Sequence, residues 1–176
     1  MNTKNFSTAI FFNEPEINYI SQHNLWDFLD EKLNWITARA PIAKIYLETH
    51  RGGKYVSKET LIRMKDLCQK NNIETAGGIT LTTTPTNHDS DLFTTYCYSN
   101  PKDLEDIKAI VRYTAELFDS YVIDDFFFTH CKCELCIKGK KDLSWAEYRT
   151  QLLKKVSEEV VIKESKAVNP NVQVII

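Results

Sequence analysis

Three thiols on one short stretch, Cys131-x-Cys133-x-x-Cys136, are the most specific chemical signal in the sequence. A tight loop can aim three thiolates at one metal ion when a fourth ligand arrives from elsewhere in the fold, and tetrahedral zinc needs four. Cys97 is the candidate fourth ligand, and His130 is a spare. Four thiolates close the coordination shell and leave no position for substrate, so the expected role of the zinc is structural. The spacing matches neither of the common iron–sulfur runs. Disulfides and unligated thiols are the alternatives, and five cysteines, an odd number, fit poorly with a fully paired scaffold. Cys68 stands apart in a helical pattern and reads as a small buried hydrophobe.

Carboxylates supply the second signal. Glu48 and Asp124 sit within otherwise apolar strand patterns, and with Asp125 they place three carboxylates near one rim. Two carboxyl groups across a scissile bond are what glycoside hydrolysis uses, about 5–5.5 Å apart for retention and about 6.5–9.5 Å for inversion. Side chains alternate along a strand, so only one of Asp124 and Asp125 can face a pocket; Asp125, nearer the strand end, is favoured. The plain reading of either aspartate is a cap or a salt bridge to Arg51 or Lys132. Glu48 and His50 are expected to share a face, with Arg51 beside them, either to hold sugar hydroxyls or as a solvated rim. Asn13, Tyr96 and His130 complete the substrate-binding candidates. Tyr96, Tyr98, Phe127 and Phe128 can stack on sugar rings, although phenylalanines on a strand are more often core. Trp26, Trp35, Trp145 and Tyr148 are assigned to packing between helices and sheet.

The elements that must position these groups alternate. Apolar periodicity gives strands at 7–13, 43–49, 73–83, 120–128 and 172–176. Between them it gives helices over 17–39, from the cap Ser57 to Asn71-Asn72, from Asn100-Pro101 to Phe118, and from Ser144 to about Ala167. Ile20, Leu25, Phe28, Leu29 and Leu33 form the apolar side of the first helix, and Ser144-x-x-Glu147 is a capping-box signature. Strand–helix units in succession call for parallel pairing, because each helix supplies a crossover. The expected fold is a single α/β domain over 1–176, the amino-terminal half of a TIM-type (β/α)8 barrel. An open doubly wound parallel sheet is the alternative. The doubly wound form usually holds a nucleotide at a glycine-rich first turn, but the residues after the first strand are Asn13-Glu14. The glycine pairs, Gly52-Gly53 and Gly77-Gly78, are not followed at once by a helix start. In a barrel, polar residues collect where strands end, as Asn13-Glu14, Glu48 to Arg51, Thr80-Thr82 and Asp124-Asp125 do.

Composition narrows the partners. The 176 residues are 43% hydrophobic and 26% charged, with a net charge of −2 and basic residues interleaved with acids, so nucleic acid is not expected. No apolar run is long enough for a membrane span or an intact signal peptide, so a cytoplasmic chain is expected, or a secreted or periplasmic one if a leader was removed. A complete barrel needs about 250 residues, so a missing carboxy-terminal half or a second copy would close the open sheet edge.

A cysteine after the third strand, followed by Cys-x-Cys-x-x-Cys after an acidic fourth strand, resembles the zinc-binding β-galactosidases among the retaining glycoside hydrolases with an α/β barrel. The resemblance implies one structural zinc held by Cys97, Cys131, Cys133 and Cys136. "YVIDDFFFTHCKCELC" and "SWAEYR" are also similar to barrel domains of uncharacterised glycosidase-like bacterial proteins. One departure matters: in those β-galactosidases an Asn-Glu pair closes the fourth strand and supplies the acid/base, whereas this chain has Asp124-Asp125, and the family's nucleophile comes from a seventh strand. The function so implied is a carbohydrate-active, glycoside hydrolase-like barrel domain, catalytically incomplete over these residues. The rival is a non-catalytic, zinc-stapled module that binds a sugar or a protein.

Overall fold

A computed structural model of the chain describes residues 8–83, 94–125 and 127–176. Ser7, the loop 84–93 and Phe126, assigned above to the first strand, the connection after the third and the fourth strand, lie outside the described residues.

Strand β1 (Thr8–Phe12) leads into helices α1 (Glu14–Gln22) and α2 (Trp26–Thr37), and β2 (Ile42–Arg51) turns back through a short β3 (Lys54–Tyr55) before α3 (Lys58–Lys70). Next come β4 (Glu74–Ile79), a small hairpin of β5 (Thr82–Thr83) and β6 (Thr94–Thr95), α4 (Pro101–Leu117) and β7 (Ser120–Ile123). The chain continues through α5 (Glu134–Lys140), α6 (Trp145–Lys155), a π-helical stretch Val156–Ile162, α7 (Lys163–Val168) and β8 (Gln173–Ile175). Among the described residues no helix is long and apolar enough to cross a membrane.

The strands β1, β2, β4, β7 and β8 lie side by side in that order, every pair parallel. Each crossover therefore adds its strand on the same side, and the order never reverses. A doubly wound sheet has a reversal, and its nucleotide sits there. Crossovers of one hand in one direction put the helices on one face and leave the other turned inward, which is the succession of a (β/α) barrel. The fold is α/β of barrel type, as the sequence indicates.

Register shows which residues face the helices. Ile45 and Leu47 are buried with Ile17, Leu29 and Leu33 of α1 and α2 and with Leu61 and Met64 of α3. Cys68 lies in the same cluster, and burial pushes its thiol up to about 11. Ile79, Tyr121 and Ile123 pack on Ile107, Ile110 and Val111 of α4. Gly77 lets α4 close on the sheet, since a β-carbon there would stand 2.6 Å from the Thr114 methyl. Gly52 and Gly53 have φ of +57° and +75° and form the two-residue turn between β2 and β3, a conformation that glycine adopts without strain.

Several boundaries differ from the sequence reading. The expected helix 17–39 is two helices. The amide of Asn24 (φ +52°) donates to the Ser21 carbonyl and that of Leu25 to the Ile20 carbonyl, the paired bonds of a left-handed helix stop. α2 then sets off in a new direction and leaves Phe28 56% exposed instead of core. Trp35, expected between helix and sheet, is 54% exposed and covered by the Arg39 guanidinium 4.1 Å away. The fourth strand ends at Ile123 instead of residue 128, because its neighbours end at Ile79 and Ile175 and offer no further ladder. The third ends at Ile79, and Thr82–Thr83 joins the β5–β6 hairpin.

Candidate active site and metal centre

Residues at the carboxyl ends of β1, β2 and β4 meet at Glu48. Residues paired on neighbouring parallel strands face the same side of a sheet, and Glu48 is paired with Gly78, whose α-carbon faces the Phe11 ring on the side away from the helices. The Glu48 side chain therefore points inward, and it is 0% exposed. Its two oxygens accept the Arg51 Nε–H at 3.1 and 2.9 Å, the Glu14 backbone N–H at 2.6 Å and the Thr80 hydroxyl. A buried carboxylate is tolerable when cation and hydrogen bonds both compensate it, as here. Arg51 in turn lies in the field of three acids: Glu48, Asp124 and Glu14.

Glu14 is the residue that sequence reasoning did not select. It is buried at the first position of α1, and one oxygen accepts the Asn18 amide at 2.5 Å. A strand-end acid at a helix start is an ordinary dipole-favoured residue, so only its contact with Glu48 marks it. Its neighbour Asn13 caps α1, accepting the Glu16 N–H at 3.0 Å while the Glu16 carboxylate accepts the Asn13 N–H at 3.0 Å.

Glu48 and His50 do not share a face. The register shifts between them, so His50 pairs with Ile79 and turns to the helix side. That shift is a β-bulge, and the extra residue, Thr49, bonds the Thr114 hydroxyl of α4 at 2.6 Å. His50 is buried beside the rings of Tyr55 (5.0 Å) and Tyr96 (6.4 Å), its Nδ1 at 3.1 Å from the Thr80 carbonyl. Burial lowers its pKa to about 4. Tyr96 belongs to the helix-side core, and burial raises its hydroxyl to about 12. Asp124 follows the helix-facing Ile123 and lies in the field of Arg51, and its N–H bonds the Ile79 carbonyl at 2.9 Å. Asp125 sits in the turn that follows and is exposed.

The four thiols are together. The sulfurs of Cys97, Cys131, Cys133 and Cys136 all lie within 4.8 Å of one another. Three edges measure 3.7 Å (Cys97–Cys133), 3.5 Å (Cys97–Cys136) and 3.8 Å (Cys133–Cys136). A disulfide requires about 2.05 Å, and all five cysteines are free. The Asp103 carboxylate accepts the Cys97 N–H at 2.6 Å and ties that thiol to α4. Cys133 precedes α5 as its cap residue and Cys136 lies within it. Tyr148 and Trp145 pack against this cluster, not against the sheet as expected, and the Tyr148 hydroxyl is 2.7 Å from the Ser99 hydroxyl. Burial raises the Cys97 and Cys131 thiols, while the Cys136 N–H bonded to Cys133 lowers that thiol to about 7. The four thiols can hold one metal ion. His130 stays outside, exposed, with Nδ1 3.2 Å from the Thr95 hydroxyl.

A parallel sheet wound in one direction, with buried acids and an arginine at its strand ends and a thiol cluster on the loops above, defines an enzyme-like α/β barrel scaffold. Residues 1–176 match the family described as probable glycosyl hydrolase, catalytic domain, and the chain belongs to that family. It is 23% identical to the uncharacterized protein SSO3021 of Saccharolobus solfataricus over 97% of its own length, and it spans about a third (32%) of that relative. Two solved structures of the virulence factor SghA, one in complex with its substrate analog salicin and one from Agrobacterium tumefaciens, overlie 85% of this chain and 36% of theirs. Their TM-scores are 0.48 and 0.47, at 11% and 9% identity.

Proposed function

We propose that the chain is part of a carbohydrate-active barrel of glycoside hydrolase type, with a structural zinc. The carrying observation is the Glu48–Arg51 pair with Asp124 beside it at the strand ends, in a chain of the glycosyl hydrolase family. Asp124 is the proposed catalytic carboxyl group: it lies in the field of Arg51 and is half-buried, whereas Asp125 points to solvent. Asp124 would supply one of the two carboxyl groups that flank a scissile glycosidic bond. Glu48 is wholly buried with its acceptor positions used, so its proposed task is to aim Arg51 at a sugar hydroxyl, a positioning role. The described residues carry five parallel strands of the eight a barrel requires, so the second catalytic carboxyl group would come from a later strand.

The sulfur spacing fits a tetrahedral metal such as zinc. Zn–S bonds of about 2.3 Å in a tetrahedron put sulfurs about 3.8 Å apart, close to the three edges measured above. A closed four-thiolate shell pins the loops after β4 and β7 without joining the chemistry. A binding module without turnover is the second reading, favoured by the full burial of Glu48.

Hydrolysis of aryl glycosides, measured on the chain alone and on the chain supplied with the sequence that closes its barrel, tests the reading. Turnover by the closed form that is abolished by Asp124→Asn is the expected result. Sugar binding with no turnover in either form would establish the module instead. About one zinc per chain by elemental mass spectrometry is expected, and none would remove the metal from the account.

A further inference from the structure

We propose that the groove between the thiol loop and the first turns of α6 is an oxyanion subsite, so that the sugar the protein takes carries a carboxylate, sulfate or phosphate group. The word sugar rests on the glycosidase reading above; the word anion rests on separate geometry.

A cavity of about 570 Å³ is lined by Thr94, Thr95, His130, Cys131, Lys132 and Arg149. Two of those side chains are cationic and none is a carboxylate. A second cavity of about 160 Å³ shares Arg149 with it and adds Tyr98, Thr129 and Leu153. A third, about 450 Å³, shares Leu153 and is lined by Asp124 and Asp125. Successive cavities thus share a lining residue, from the one lined by the proposed catalytic carboxyl group to the one lined by Lys132 and Arg149.

Among the described residues, three buried side-chain polar atoms have no hydrogen-bond partner: the hydroxyls of Thr94 and Tyr98 and Nε of Arg149. All three belong to residues that line the first two cavities. Each carries a hydrogen to donate, and a buried donor left unpaired is costly. The first cavity is far larger than one water, whose share of liquid volume is about 30 Å³. An oxyanion is the ligand that accepts from several donors at once and is attracted by the cations.

The arginine is also prepared. Its Nη2 donates to the His130 carbonyl at 2.9 Å and its guanidinium lies 5.1 Å from the centre of the Trp145 ring, with the Lys132 ammonium 5.9 Å from the same ring. These contacts fix where the charge sits before a ligand arrives. A planar guanidinium suits carboxylate, sulfate and phosphate alike. One competing use of these cations is local: four thiolates around a divalent metal would carry net negative charge, which Lys132 and Arg149 could offset. The unpaired hydroxyls and Nε are not spent on the sulfurs, however, and that use leaves them unexplained.

The test is calorimetric titration of the chain at constant ionic strength with glucose, glucuronate, glucose 6-sulfate and glucose 6-phosphate. At least one charged sugar should bind ten-fold or more tighter than glucose, and which one does distinguishes the three anions. Arg149→Gln should remove that preference. Tyr98→Phe should weaken charged-sugar binding several-fold while leaving or raising the melting temperature of the free chain, because it deletes an unpaired hydroxyl and nothing else. Equal binding of glucose and all charged sugars overturns the proposal, and so does a preference that survives both variants. A loss of metal or melting temperature in Arg149→Gln with the sugar preference intact also overturns it, assigning the cations to the thiol cluster. The glycosidase reading fails separately, through the absence of aryl glycoside turnover and sugar binding.

Discussion

The carboxylate end and the thiol loop are adjacent, yet they are held in place by different means. Glu48 sits on a strand with parallel neighbours on both sides, and side-chain and backbone donors from β2, β4 and the start of α1 converge on it. Cys131 and Cys133 sit on chain that has left the sheet; the Cys131 N–H donates to the Thr129 hydroxyl at 3.4 Å, and Cys133 and Cys136 flank and enter a helix of 7 residues. Hydrogen bonds and the Arg51 ion pair preorganise the first region. The second brings four thiols together through the Asp103 bond to Cys97, the short α5 and the packing of Tyr148 and Trp145. A site built on strands keeps its geometry when its ligand leaves, and a site built on loops does not.

Metal removal breaks that comparison most strongly. A metal held at about a thousand times its Kd stabilises the folded chain by about 4 kcal/mol, and chelation or Cys136→Ser should forfeit at least that. Hydrogen exchange gives the sharper readout: amides of 94–100 and 127–143 should lose protection while those of β2 and β4 keep theirs. Equal loss in both regions would mean that the thiol cluster holds the sheet end together as well.

Glu48→Gln attacks the other region. It leaves the half-buried Arg51 guanidinium and two further donors facing an amide, a loss of about 3 kcal/mol in a denaturant titration. Metal content should stay unchanged. If zinc were lost too, the two regions would be one cooperative unit.

The outlines of both regions were legible in the sequence, and the failures have local causes. Asn71-Asn72 stopped a helix where expected, with Asn72 at φ +56°. The same left-handed signal at Asn24 was read through, because apolar residues resume at Leu25, Phe28 and Leu29 and continue the period past the break. The thiol set could be read because four cysteines with metal-ligand spacing have few other uses. The shared face of Glu48 and His50 could not, because a β-bulge inverts alternation without changing composition. Glu14 could not be read because its contact with Glu48 spans 34 residues of sequence.

The bulge has an acid signature. His50 has a pKa of about 4 when folded against 6.5 unfolded. The unfolded chain therefore takes up the proton first, and the stability owed to neutral His50 is complete above pH 6.5 and drains as pH falls toward 4. At pH 5 the loss is about 2 kcal/mol. In urea titrations of metal-free protein, His50→Gln should lose that much less between pH 7 and pH 5 than the parent chain. Identical pH dependence would mean that the ring reaches solvent, in conflict with its place behind the sheet.

The smallest effect lies on the border between the regions, where Asp124 is the last residue hydrogen-bonded to β4 and Asp125 the first in the turn toward the thiols. Asp125 is exposed, so Asp125→Asn should change stability by no more than about 0.5 kcal/mol. Asp124→Asn removes a negative charge from the field of Arg51, which then relies on Glu48 and Glu14; about 1 kcal/mol is expected, because the pair is only partly desolvated. Activity should separate them further, with turnover lost in Asp124→Asn and kept in Asp125→Asn. Alternation allows one of two adjacent residues to face the interior, and Ile123 packed against α4 assigns that face to Asp124. The opposite result, with Asp125 the sensitive residue, would require the chain to flip after Ile123, moving the border one residue and giving the acid to the loop that leads to the thiols.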